Sequence, residues 1–78
     1  MTILTFGVAR DIVGHDHCEL VVPPGTTVGE LKTLIRAAYP GFERVADFAI
    51  ARNAAYARPE EVVGPEDEVV ILPPVSGG

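Results

Sequence analysis

Glu68-Val69-Val70-Ile71-Leu72, stopped at once by Pro73-Pro74, limits the folds open to this chain more than any other stretch. Its apolar, largely β-branched run reads as a strand. On a pleated strand Val69 and Ile71 face one way, and Val70 and Leu72 the other. Both faces are then apolar, which suits a position between two neighbouring strands. Pro73 and Pro74 lack N–H donors, so they cannot continue a central strand, and they hold the chain extended. Val75, Ser76, Gly77 and Gly78 follow, and two glycines have no side chain to pack. The expected division is therefore a globular domain over 1–72 and an extended tail over 73–78. A strand, a stiff spacer and a slim tip carrying the Gly78 α-carboxylate suit insertion into a narrow channel of another protein. The same residues also read as an ordinary frayed end, and the motif alone does not choose between the two.

The remaining elements follow from local signals. Thr2 to Val8 alternates as a strand, with Leu4, Phe6 and Val8 expected inward. Ala9 to Val13 makes one helical turn closed by Gly14. His17 to Val22 is a second strand, with Leu20 and Val22 inward and an antiparallel partner in the first. Thr27 and Glu30 form a capping box that opens the long helix, Thr27 to Tyr39. Val28, Leu31, Ile35 and Ala38, widened by Leu34, form its apolar stripe, and Lys32 and Arg36 are expected on the solvent side. Tyr39-Pro40-Gly41 ends it, and Phe42 to Val45 reads as irregular. Asp47 to Arg52 is a third strand with Phe48 and Ile50 inward. Asn53-Ala54-Ala55 turns into a short strand, 56–58, that Pro59 stops. Gly64-Pro65 turns into the last strand. Several strands and one long amphipathic helix predict a two-layer α+β domain. With the last strand beside the first, the arrangement is the β-grasp, the ubiquitin-like fold.

Composition excludes several functions. Seventy-eight residues make one small domain with little room for a deep catalytic cleft. A formal net charge of -5 makes nucleic acid and anionic membranes poor partners and favours a basic protein surface. A single cysteine, Cys18, excludes an internal disulfide. There is no signal-peptide pattern at Met1-Thr2-Ile3-Leu4 and no membrane-spanning run, so a cytoplasmic protein is expected.

Three stretches stand out: the run from Phe6 to Gly14, Thr27-Val28-Gly29-Glu30-Leu31, and Asp67-Glu68-Val69 leading to Leu72-Pro73-Pro74-Val75-Ser76-Gly77-Gly78. Together they resemble a known family, the small, sulfur-carrying subunits of molybdopterin synthase. The double proline before the double glycine is the most specific. The chain differs from the family pattern at Arg52, Ala54 and Glu66. The resemblance implies that a separate activating enzyme adenylates Gly78 with ATP, and that a sulfur donor converts it to a thiocarboxylate. The tail would then enter the large synthase subunit, in a heterotetramer, and pass sulfur to a cyclic pyranopterin monophosphate. No cofactor, metal or catalytic base is implied for this chain. A carrier for thiamin or another sulfur metabolite, and a ubiquitin-like tag or binding module, are the alternatives.

Other candidates have simpler readings. Cys18 reads as a small buried hydrophobe, and His15, Asp16 and His17 as a solvated loop. Arg10-Asp11 reads as structural, Gly7 and Gly14 as backbone positions, and Glu60-Glu61 and Glu66-Asp67-Glu68 as solvated charge. Val70 and Leu72, facing away from the helix, are expected to form a docking patch beside the tail. Pro73, Pro74 and Val75 are expected to be buried by the large subunit.

Overall fold

The computed structural model describes residues 1–45 and 47–72, with only the backbone of Arg44. The elements are β1 (Thr2–Thr5), α1 (Val8–Val13), β2 (His17–Glu19), α2 (Val28–Ala38), a 3₁₀ helix (Pro40–Arg44), β3 (Ala49–Arg52), β4 (Ala55–Tyr56) and β5 (Val69–Leu72). The five strands form one mixed sheet in the order β2-β1-β5-β3-β4. β1 pairs antiparallel with β2 and parallel with β5, and β5 pairs antiparallel with β3. The last strand is thus the central one, beside the first, as a β-grasp requires. No described helix is long and apolar enough to cross a membrane.

Helix α2 starts where its sequence says it should. The Thr27 hydroxyl accepts the Glu30 amide at 3.2 Å, and the Glu30 carboxylate accepts the Thr27 amide at 2.9 Å. Its other free amides meet the loop before β5: Val28 N–H donates to the Glu61 carbonyl at 2.8 Å and Gly29 N–H to the Pro59 carbonyl at 3.0 Å. Val28, Leu31 and Ile35 are buried in one cluster with Ile3, Ile50, Val69 and Ile71. Ala38, expected in that stripe, is exposed at the last helical residue.

The inward face of β1 differs from the expectation. Ile3 and Thr5 are buried, Leu4 lies on the opposite face half-buried, and Phe6 and Val8 are 54% and 41% exposed. Both alternations of Ile3-Leu4-Thr5-Phe6 contain apolar residues, so periodicity alone leaves the face open. Pairing of Ile3 with Val69 and of Thr5 with Ile71 settles it. The buried Thr5 hydroxyl donates to the His15 carbonyl at 2.5 Å, so a polar inward residue costs little. The strand ends at Thr5, short of the expected Val8, and Gly7, with φ 58°, turns the chain into α1.

Three other elements and two side chains differ from the expectation. β2 ends at Glu19, with Cys18 buried, while Leu20 and Val22 pack on the core from the segment beyond it. Phe42, in the stretch read as irregular, lies in the 3₁₀ helix, fully buried 5.0 Å from the Phe48 ring. β3 and β4 are joined by a two-residue turn, Asn53-Ala54, with φ 53° and 68°, so the short strand begins at Ala55 and ends at Tyr56. Two positive φ angles give the twist a tight hairpin needs. Lys32 and Arg36 do not simply extend into solvent: both lie over the Phe48 ring and contact Asp47.

Candidate functional site

The residues singled out as a tail, Pro73, Pro74, Val75, Ser76, Gly77 and Gly78, lie outside the described residues. What is described is the root from which they continue. Val69 and Ile71 of β5 are fully buried against α2, and Val70 and Leu72 face the other way, half-buried, as alternation predicts. With paired neighbours on both edges, β5 cannot shift without breaking two ladders. It therefore gives whatever follows Leu72 a rigid base.

Register assembles a surface around Val70 and Leu72. Val70 lies opposite Leu4 on one side and Ala51 on the other, Leu4 opposite His17, and Ala51 opposite Tyr56. One transverse row, His17-Leu4-Val70-Ala51-Tyr56, thus crosses all five strands on the face opposite α2. Leu72 pairs with Ala49 in a neighbouring row. The middle of this face is apolar, and its rim carries exposed His17 and Tyr56. Exposed Phe6 follows β1, two residues beyond Leu4. Alternation within β5 identified Val70 and Leu72. The contributions of Leu4, Ala51 and Tyr56 depend on strand order, and alternation along β1 points Phe6 inward instead.

The approach to β5 is anchored by polar contacts. Arg52 Nε donates to Asp67 Oδ2 at 2.7 Å, and Arg52 also reaches Glu61 at 3.3 Å. Asp67 further accepts from the Gly64 amide at 2.7 Å and from the Asn53 side-chain amide at 2.9 Å. These contacts lower its pKa from the usual 3.8 to about 2, the Arg52 hydrogen bond first among them. Asn53 Oδ1 accepts the Glu68 amide at 2.9 Å. The β3–β4 turn is thus tied to the segment entering β5. Arg52 is the hub of a structural network, and Glu61 and Asp67, read as solvated charge, belong to it.

The remaining candidates stay separate. Cys18 is buried, and burial pushes its thiol pKa up. Asp16 and His17 pair at 2.8 Å on the surface. Among the described residues no group of three or more His, Cys, Asp or Glu side chains could hold a metal ion.

Comparison with known proteins adds to this geometry. The model of the ThiS family matches residues 3–78. A molybdopterin synthase sulfur carrier subunit from Chlamydomonas reinhardtii is 33% identical over 79 residues, covering 97% of this chain and 95% of that protein. Among solved structures, a putative molybdopterin converting factor, subunit 1, from Pyrococcus furiosus superposes with a TM-score of 0.84 at 28% identity, covering 95% of each chain. SAMP1, a small archaeal modifier protein from Haloferax volcanii, superposes with a TM-score of 0.80 at 27% identity, covering 99% of this chain and 97% of that one.

Proposed function

The chain belongs to the ThiS family, and from that membership we propose that it is a sulfur carrier that donates sulfur from a thiocarboxylate at Gly78 during molybdopterin formation. The observation that carries this reading is that the family match extends through residue 78, so it takes in the Pro73-Pro74 spacer and the double glycine. The similarity to a molybdopterin synthase sulfur carrier subunit supports the choice of pathway.

The chemistry asks little of the carrier itself. A carboxylate is a poor acyl electrophile. On an activating enzyme, a Gly78 carboxylate oxygen bonds to the α-phosphorus of ATP and pyrophosphate leaves. Sulfide from a donor then attacks the acyl carbon, the bond to AMP breaks, and a thiocarboxylate remains. Its sulfur is the nucleophile delivered to the pyranopterin in the large subunit. Gly77 and Gly78 leave the acyl carbon unhindered, and Pro73 and Pro74 keep the tail extended. The base and metal chemistry belong to the partners. The apolar sheet face around Val70 and Leu72, at the root of the tail, is the proposed docking surface for the large subunit.

Reconstitution with activating enzyme, ATP, sulfur source, large subunit and pyranopterin precursor tests this. The C-terminal peptide should gain about 16 Da as sulfur replaces oxygen at the activated carboxyl. A chain lacking Gly78 moves the reacting carbon by up to ~3.5 Å and should make no molybdopterin, while melting as the full chain does. A normal rate from the shortened chain would refute the reading. The similarity to SAMP1 favours a second reading, a protein modifier. Amide linkage of Gly78 to lysines of other proteins, in place of the 16 Da gain, would select it.

A further inference from the structure

Building on the carrier reading, we propose that the fold shields its own single lysine, so that the activated chain passes on its acyl group without becoming an acceptor for another copy. The six basic side chains are Lys32 and five arginines. A guanidinium stays protonated and offers no lone pair to an acyl carbon, so Lys32 carries the one side-chain amine able to attack.

That amine is held down. Lys32 Nζ lies 3.0 Å from Asp47 Oδ1 and 5.3 Å from the centre of the Phe48 ring, and the side chain is only 19% exposed. Asp47 is fixed in turn, because the same oxygen accepts the Phe48 amide at 2.8 Å. Arg36 closes the other side, 3.4 Å from that carboxylate and 4.9 Å from the ring. Phe48 is buried and packs against the Phe42 ring at a tilt, so the platform under both cations is part of the core. The single thiol, Cys18, is shielded by burial in that core.

The reason to shield them is chemical. A free amine attacks an acyl adenylate as sulfide does: a C–N bond forms, the bond to AMP breaks, the nitrogen loses a proton to solvent, and an amide results. A free lysine on the carrier would divert activated chains into carrier–carrier amides, which cannot yield sulfur. Before Lys32 could attack, it would have to lift from Phe48 and from Asp47, and both contacts oppose that.

Limiting acetyl N-hydroxysuccinimide ester, with peptide mass spectrometry, measures the acylation rate at each site in the folded protein. Arg58→Lys supplies the reference amine, at a position whose side chain is 79% exposed. Asp47→Asn removes the charge while keeping an acceptor for the Phe48 amide. Lys32 should react up to about fivefold more slowly than the reference lysine, the upper end of what one ion pair supplies. Asp47→Asn should narrow that gap. Equal rates for Lys32 and the reference lysine overturn the proposal, and that comparison leaves Asp47 untouched, so a folding defect in Asp47→Asn cannot obscure it. With activating enzyme and ATP but no sulfur source, Arg58→Lys should form dimers linked through its new side-chain amine, and the unaltered chain should form none linked through a side chain. Dimers joined through Lys32 of the unaltered chain also overturn it. If Gly78 is not activated at all, the carrier reading fails, and the acylation ratio still decides whether Lys32 is shielded.

Discussion

Ile3→Ala and Phe6→Ala set the two possible inward faces of β1 against each other. Ile3 is fully buried, paired with Cys18 on one side and Val69 on the other, within the cluster that α2 covers. Removing its outer carbons leaves a cavity that strands held on both edges cannot close. Such a truncation costs about 2–5 kcal/mol. A domain of 78 residues has roughly 4–12 kcal/mol in total, at about 0.05–0.15 per residue. Ile3→Ala therefore removes a large fraction, and each kcal/mol lowers Tm by about 4–8 °C in a domain this small. Phe6, half in solvent, should lose less than about 1 kcal/mol when truncated, whereas a core phenylalanine would lose about 3–5. Urea unfolding followed by circular dichroism reads both, provided the m-values match. A Phe6→Ala loss above about 3 kcal/mol, or an Ile3→Ala loss below about 1, would refute the register argument.

Thr27→Ala removes the hydroxyl half of the capping box and should cost about 1 kcal/mol, read as a lower midpoint in the same titration; an unchanged midpoint contradicts the cap's role. Asp67 has a folded pKa of about 2, below its ordinary 3.8, so the unfolded chain takes up that proton first. The stability it contributes is complete above about pH 4 and is lost as pH falls toward about 2. Arg52→Gln should flatten that acid limb of the stability profile, and an unaltered profile would show that the Arg52–Asp67 contact is not its source. Leu72→Asp puts a charge on the half-buried outer face of β5. It should leave Tm within a few degrees of the parent and weaken binding to the large subunit by at least ~10-fold, the scale of a buried unpaired charge. Unchanged affinity in a calorimetric titration would remove that face from the proposed interface.

Local signals were enough for features closed by neighbouring residues. Thr27 and Glu30 are three positions apart, and their reciprocal hydrogen bonds start α2 where the sequence places it. Gly14, with φ 87°, ends α1 for the same local reason. The alternation of Val69-Val70-Ile71-Leu72 correctly separates the helix-facing pair from the outer pair. Element order, with a doubly apolar last strand, was enough to place β5 beside β1. The inward face of β1 was not legible, because Ile3 and Leu4 suit a core equally and only pairing with β5 separates them. Nor was the fate of Lys32, since its helical position says "outward" while Asp47 and Phe48, brought from beyond the 3₁₀ helix, draw it down. Arg52 and Asp67, fifteen residues apart, meet only because β3 and β5 are neighbours. The sheet face around Val70 combines residues from all five strands. Hydrogen bonds and alternation within one element act over a few residues and are written in the sequence. Register between strands depends on contacts that form only when distant segments pack, and tertiary structure alone decides it.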